Sequence, residues 1–93
     1  MARYVTLIRF TEKGARGVRK SADRGVEFRK TAEKAGLNVE SQLWTAGSID
    51  GLLVISGDEK KILRFLTQLA AEGNVRTETL QAFDAREFKA ITG

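Results

Sequence analysis

The sequence predicts an α+β domain in which two helices cover one face of a four-stranded antiparallel sheet. Runs of β-branched and aromatic residues alternate with helical periodicity in the order strand–helix–strand–strand–helix–strand. The first and third strands are apolar on both faces, as central strands are, whereas the second and fourth alternate, as edge strands do. A length of 93 residues suits a single core, so we predict one domain over residues 1–93.

The first half of the chain predicts a central strand, a loop, a helix and an edge strand. RYVTLIRF (3–10) is apolar on both faces, and the glycine-containing TEKGARG that follows is predicted to be a loop. A helix is predicted from Ser21, a candidate N-cap, to Ala35, where Gly36 ends it. LNVESQLWT (37–45) alternates and predicts a half-buried strand. Its predicted apolar face consists of Leu37, Val39 and Leu43.

The second half repeats this plan of strand, helix and strand. GLLVIS (51–56) is continuously apolar and predicts a strand buried on both faces. DEKKILRFLTQLAAEG (58–73) predicts a helix with Asp58 as its N-cap. Its apolar stripe consists of Ile62, Phe65, Leu66 and Leu69. NVRTETLQAF (74–83) alternates as an edge strand does, and Asp84 is a candidate cap for a short C-terminal helix.

This order of elements is the ferredoxin-like βαββαβ arrangement, here followed by a short C-terminal helix. Two helices cover only one face of the sheet, so the other face is left with an apolar patch larger than monomers usually expose. That patch is formed either by Val5 and Leu7 or by Tyr4, Ile8 and Phe10, together with a set from the third strand. We therefore predict a homodimer or a higher even oligomer, packed sheet to sheet. The alternative is that the C-terminal helix folds back over part of this face.

The composition excludes several kinds of chemistry. The chain has no cysteine and no histidine, which rules out disulfides, thiolate nucleophiles, histidine-based triads and metal sites built from these residues. We predict neither a metal nor a cofactor. No apolar run approaches the roughly 20 residues that span a bilayer. The N-terminal MARYVTLIRF lacks the apolar core of a signal peptide, so we expect a cytoplasmic protein with no membrane partner.

Positive charge is concentrated in the first part of the chain. Residues 1–36 carry ten basic and four acidic side chains, whereas residues 37–93 carry six and eight. The basic side chains of KGARGVRKSADR (13–24) would attract phosphates. No aromatic residue is interleaved among them for bases to stack on. We therefore interpret this segment as a solvated surface and predict no specific nucleic-acid partner.

The stretch WTAGSIDGLLVI (44–55) supports two interpretations. In the structural one, Gly47 and Gly51 permit positive φ at the turn. Asp50 then holds the turn through backbone amides while Trp44 packs over the end of the sheet. In the functional one, Trp44 is the apolar wall of a ligand cavity, with Asp50 as its polar anchor or base.

The segment NVRTETL (74–80) also supports two interpretations. Asn74 follows a glycine and is a candidate for the left-handed conformation that closes a helix. Arg76 and Glu78 lie two residues apart, so they share a face and would pair with each other or across a dimer. An Arg–Glu pair is also a possible ligand clamp. The candidate ligand-binding residues are therefore Trp44, Asp50, Asn74, Arg76 and Glu78, and no catalytic residue is assigned.

Three segments, YVTLIRFT, WTAGSIDGLLVI and GNVRTETLQAF, resemble the GYD domain family, and the resemblance extends over roughly residues 3–90. It implies a dimeric α/β-barrel with no established activity. The Gly-Tyr-Asp motif of that family lies at the turn between the second and third strands. Here the turn reads Ser48-Ile49-Asp50-Gly51, so Ile49 replaces the motif tyrosine and removes its hydroxyl.

These observations favour a homo-oligomeric module that binds a small-molecule ligand or supports assembly, without established catalysis. The alternative is a cofactor-independent enzyme, because similar dimeric barrels include monooxygenases that use neither metal nor flavin. That alternative is implied by fold alone.

Overall fold

The computed structural model describes residues 2–93 and confirms the predicted ferredoxin-like α+β fold. The strands are β1 (Ala2–Phe10), β2 (Asn38–Trp44), β3 (Gly51–Gly57) and β4 (Val75–Gln81). The helices are α1 (Glu12–Arg16), α2 (Ser21–Lys34), α3 (Glu59–Ala71) and α4 (Ala85–Thr92), with a 3-10 turn at Val18–Lys20. The strands form one antiparallel sheet in the order β2–β3–β1–β4, so the predicted central and edge strands are also confirmed. None of the helices within residues 2–93 is long and apolar enough to cross a membrane.

The pairing of β1 with β3 sorts the side chains of the sheet into two faces. Helices α2 and α3 pack on the face that carries Thr6, Leu53 and Ile55, which we call the covered face. The opposite face, which we call the open face, carries Val5, Leu7, Leu52 and Val54 along the two central strands. Leu80 of β4 lies opposite Val5 and extends this apolar surface. Of the two predicted patches, the structure therefore selects the one formed by Val5 and Leu7.

The core lies between the covered face and the two long helices. Its buried apolar side chains are Ala32, Leu37, Val39, Leu53, Ile55, Ile62 and Leu66. Ile62 and Leu66 come from the predicted stripe of α3, whose N-cap, Asp58, accepts a hydrogen bond from the Lys61 N–H as predicted. One polar side chain, Thr6, is fully buried in the same layer, and its hydroxyl bonds that of Thr79 across the β1–β4 pair. The buried hydroxyl is therefore satisfied.

A β-bulge interrupts the alternation of β2. Val39 pairs with Ile55, and Ser41 pairs with the next residue along β3, Val54, so Glu40 is an extra residue between them. Such an insertion changes which face each following side chain occupies.

The bulge makes the prediction for Leu43 wrong. Leu43 was expected beside Val39 on the buried side, but it lies on the open face and is 54% exposed. Gln42 and Trp44 take its place on the covered face, where both contact α2. The bulge therefore directs these two side chains toward the helix layer.

The segment TEKGARG, predicted to be a loop, contains the short helix α1. Thr11 caps it by accepting a hydrogen bond from the Gly14 N–H at 3.1 Å. Gly14 is buried, and a Cβ on it would lie 1.9 Å from the carbonyl oxygen of Asn74. A five-residue helix has little stability of its own, so this contact with the start of β4 holds it in place.

The predicted N-cap of α2 is also wrong. Ser21 is already helical, the N-cap position is Lys20, and no side chain caps the helix. The Ser21 hydroxyl accepts a hydrogen bond from the Trp44 indole N–H instead. The preceding 3-10 turn feeds directly into α2, which removes the need for an extended capping residue.

Helix α4 begins at a capping box formed by Asp84 and Glu87, as the candidate cap predicted. All of its residues are exposed, including Phe88 and Ile91, which are 56% and 61% exposed. Glu87 reaches the sheet through an ion pair with Arg3. The helix therefore buries no residue against the open face, contrary to the alternative that it folds back over it.

Arg3 links the open face of β1 to two other elements. Its guanidinium contacts Glu40 in the bulge at 3.0 Å and Glu87 in α4 at 2.6 Å. Hydrogen bonds from the Asp84 backbone and then from Arg3 lower the pKa of Glu87. A hydrogen bond from the Ser56 hydroxyl, followed by the Arg3 contact, lowers the pKa of Glu40.

We expect Arg3→Met to lower the melting temperature at neutral pH by an amount that disappears in acid. Both carboxyl groups have folded-state pKa values below their ordinary 4.5, and Arg3 is the second cause of each shift, after Ser56 for Glu40 and the Asp84 backbone for Glu87. The contact with Arg3 therefore contributes stability above that pH. The stabilisation is lost as the pH falls through the lowered pKa values. Thermal melts of the native protein and of Arg3→Met, recorded from neutral pH to below the ordinary carboxyl pKa of 4.5, measure the difference in melting temperature.

Arg86→Met is the matched control, because Arg86 lies on α4 and forms no ion pair among the described residues. A difference between native protein and Arg3→Met that stays constant at all pH values contradicts the ion-pair account.

Candidate functional site

A cavity of about 590 Å³ lies between the covered face and helices α2 and α3. It lies where β1 and β2 end and β3 and β4 begin, because antiparallel strands bring these termini to one end of the sheet. Its walls are mainly apolar. The aromatic and aliphatic residues among them are Ile8, Phe10, Phe28, Leu43, Trp44, Leu52, Leu53, Phe65, Leu69 and Val75. Phe28 and Phe65 meet edge to face, with ring centroids 6.1 Å apart, and so connect α2 with α3 across the cavity.

Trp44 forms the wall of the cavity on the side of β2. Its indole N–H donates to the Ser21 hydroxyl at 2.9 Å, and its side chain remains 48% exposed. The indole lies against α2 at Gly25, where a Cβ would come within 2.8 Å of Cζ2 and Cη2 of the ring. Gln42 donates to the Gly25 carbonyl at 2.9 Å. Only glycine permits this approach, so Gly25 sets the distance between helix and wall.

Asp50 holds the loop between β2 and β3 onto the end of β1. Its Oδ2 accepts from the Phe10 N–H at 2.9 Å, and its backbone N–H donates to the Ile8 carbonyl at 2.8 Å. Within residues 2–93, Oδ1 forms no hydrogen bond with the protein, and no buried side-chain polar atom there lacks a partner. Oδ1 is therefore accessible, and the residue lines the cavity. One oxygen fixes the loop, and the other has no partner among the described residues.

The two glycines of this turn behave differently from each other. Gly47 has φ +152°, as the structural interpretation expected. Gly51 does not have positive φ. It is buried in β3 opposite Ile8 and Trp44, where the absence of a side chain leaves room for the end of the cavity.

Asn74 also lines the cavity, but its backbone does not close α3. Gly73 adopts the left-handed conformation, with φ +79°, and Asn74 does not. The Asn74 carbonyl accepts a hydrogen bond from the Thr11 N–H at 3.0 Å, which joins the start of β4 to the end of β1. The structure thus brings Trp44, Asp50 and Asn74 to one cavity.

Arg76 and Glu78 lie elsewhere. They are opposite Arg9 and Leu7 in the β1–β4 pair, on the open face of the sheet. Neither forms an ion pair with another described residue, so the expected pairing with each other is absent. The structure does not bring them to the cavity, and pairing across a dimer stays a prediction.

Several cavity residues were not singled out from the sequence. Gly25 lies inside the predicted helix, and a glycine inside a helix is itself a signal of close approach. Phe65 was assigned to the apolar stripe of its helix, and nothing in the spacing of Phe65 or Phe28 indicated that they also border a cavity. Lys20 and Arg24, from the basic segment, lie at the cavity as well.

The fold and the cavity define a class: a ferredoxin-like domain with a ligand-sized cavity between sheet and helices. The chain belongs to the GYD domain family, whose model matches residues 4–92. No curated protein and no solved structure shows significant similarity to it. At the family motif, Ile49 is half-buried, its carbonyl accepts from the Thr45 hydroxyl at 2.6 Å, and its side chain does not line the cavity.

We expect Asp50→Ala to lower the free energy of unfolding by about 1 kcal/mol, the usual scale for a lost hydrogen bond to a backbone amide. Asp50→Asn keeps an oxygen that accepts from the Phe10 N–H, so it should cost much less. Chemical denaturation of both variants measures the difference. Equal losses in the two variants would show that the bond to Phe10 does not hold the loop.

We expect Gly25→Ala to change the fluorescence of Trp44, the only tryptophan in the chain. At an exposed position inside a helix, replacing glycine with alanine normally raises the free energy of unfolding by about 1 kcal/mol. Here the added Cβ must displace the indole, which moves the wall and offsets that gain. Emission spectra and thermal melts measure both effects.

Gly17→Ala is the control, because its nearest neighbour would be 3.5 Å away and its φ is −97°. Unchanged emission in Gly25→Ala, together with a higher melting temperature, would contradict the close contact between Gly25 and Trp44.

Proposed function

We propose that this protein is a homodimeric module that binds a small molecule in the cavity between its sheet and helices. The observation that carries the proposal is the composition of the cavity: apolar walls with an indole and an accessible carboxylate oxygen at one end. Ligand cavities in proteins combine mainly apolar walls with a few placed polar groups, and they span roughly 300–1,000 Å³. A volume of about 590 Å³ lies inside that range.

Binding is favoured over catalysis by the side chains present. The chain has no histidine or cysteine, and its single tyrosine, Tyr4, does not line the cavity. The Tyr4 hydroxyl donates to Glu59 at 2.9 Å, and that hydrogen bond raises the pKa of Tyr4. The Tyr4 hydroxyl therefore joins β1 to α3 through this hydrogen bond.

The dimer is supported by the open face. Val5, Leu7, Leu52 and Val54 form its centre, and no helix within residues 2–93 covers them. Arg9 and Arg76 lie directly opposite each other in the β1–β4 pair, where like charges repel. A second copy packed on this face would cover the apolar centre and supply carboxylates, such as Glu78, to the arginines. Most of the cavity lining lies on the other side of the sheet, and the open-face residues Leu43 and Leu52 border it.

Binding in the cavity is tested with a neutral apolar dye, N-phenyl-1-naphthylamine. We expect the native protein to bind it with quenching of Trp44 fluorescence, and Leu69→Lys to bind it at least tenfold more weakly, because a lysine there places a charge in the cavity wall. Leu63→Lys is the matched control: it makes the same change on α3 at a residue that is 45% exposed and outside the cavity. Equal binding by both variants, or none by the native protein, counts against the proposal.

Dimerisation through the open face is tested by Val54→Lys. We expect the native protein to sediment as a dimer at micromolar concentration and Val54→Lys to sediment as the 10.3 kDa monomer, since a buried unpaired lysine opposes association. Leu63→Lys again serves as the control and should remain dimeric. A folded native monomer would refute the dimer. If Val54→Lys still sediments as a dimer, the interface lies on a surface other than the open face.

A further inference from the structure

We infer that the cavity selects a cationic ligand: an aromatic body carrying a protonated amino group, with that group bonded to Asp50. This inference rests on the proposed function and specifies the chemistry of the ligand.

The charges around the cavity are the first reason. Its lining includes four carboxylates, Asp23, Glu27, Asp50 and Glu72, and two cationic side chains, Lys20 and Arg24, which gives a balance of −2. The whole chain has a net charge of +4, so the cavity has the opposite sign. None of the four carboxylates forms an ion pair among residues 2–93. Asp50 is half-buried and the other three carboxylates are exposed, so a cation that enters the cavity meets a lining of net negative charge, which disfavours an anion.

The accessible oxygen of Asp50 is the second reason. A carboxylate oxygen only accepts hydrogen bonds, so a ligand bonded to Oδ1 must present a donor. A hydrogen bond between a cationic donor and a carboxylate is stronger than one between neutral groups. The Phe10 N–H fixes the orientation of the carboxylate through Oδ2, which leaves Oδ1 positioned before a ligand arrives.

The aromatic walls are the third reason. Phe10, Phe28, Trp44 and Phe65 all line the cavity. Ring faces attract cations, and tryptophan attracts them most strongly. The same rings offer flat apolar surfaces to an aromatic body. The walls and the carboxylates thus favour the same ligand, one with an apolar ring and a positive charge.

The test uses three probes that share one ring system: 2-(aminomethyl)naphthalene, 2-naphthalenemethanol and 2-naphthoate. They present a cation, a neutral donor and an anion at the same position. Calorimetric titration of the native protein should rank the cation first and the anion last, with at least tenfold between them. Added salt should narrow this gap, because it screens the charges. A neutral or anionic probe that binds as tightly as the amine would overturn the inference.

Asp50→Asn tests the proposed partner atom. Its amide oxygen keeps the bond to the Phe10 N–H, and its amino group then replaces Oδ1, so the acceptor becomes a donor. We expect Asp50→Asn to bind the amine roughly tenfold more weakly, which corresponds to the lower end of the free energies found for hydrogen bonds to charged groups. Binding of the alcohol should change little. Glu33→Gln is the control, because it removes one negative charge from α2 outside the cavity. An equal loss in both variants would assign the effect to net charge and overturn the role of Asp50.

The neutral dye separates this inference from the function on which it rests. If the native protein binds N-phenyl-1-naphthylamine but shows no preference for the amine, the cavity binds ligands and the charge selectivity is wrong. If it binds neither the dye nor any naphthalene probe, the binding function itself is wrong.

Discussion

The antiparallel pairing of β1 with β3 is the constraint on which the rest of the structure depends. Both strands carry apolar side chains on both of their faces, so their pairing creates an apolar surface on each side of the sheet. The core needs only one of them, and α2 and α3 occupy the face of Leu53 and Ile55. No helix in the described part of the chain packs on the face of Leu52 and Val54. The proposed dimer is thus a consequence of the central strands, and the cavity follows from the spacing of helices on the covered face.

The fold was predictable from the sequence because its signals are local and repeated. The stripe of α3, its Asp58 cap and the continuous apolar run of β3 each indicate one element, and their order leaves few topologies. The bulge at Glu40 was not predictable, because alternation in β2 looks unbroken until the partner strand fixes the register. The same limit applies to α1, where Gly14 packs closely on Asn74 through a contact between distant parts of the chain.

Only some of the residues that line the cavity were singled out from the sequence, for a related reason. Trp44 and Asp50 flank a turn, so the sequence alone shows that they are neighbours. Arg76 and Glu78 were grouped with them because a strand pattern gives the spacing of side chains but not which face is covered. The structure separates them, since β4 pairs with β1 in the register that directs Arg76 and Glu78 to the open face. A shift of one residue in the pairing of β4 with β1 would have placed both side chains on the covered face.

The charge of the chain as a whole is a poor guide to what its cavity binds. The positive excess resides largely in residues 1–36, but that segment contributes two cationic and two acidic side chains to the cavity lining. Asp50 and Glu72 add the two further carboxylates. The molecule measures 47 by 30 by 18 Å, and charges interact through physiological salt over only about 8 Å. Basic side chains far from the cavity are therefore screened from a bound ligand, while those that line it act at short range. The sign of the local lining thus outweighs the sign of the total, which is why a basic protein can present an acidic cavity.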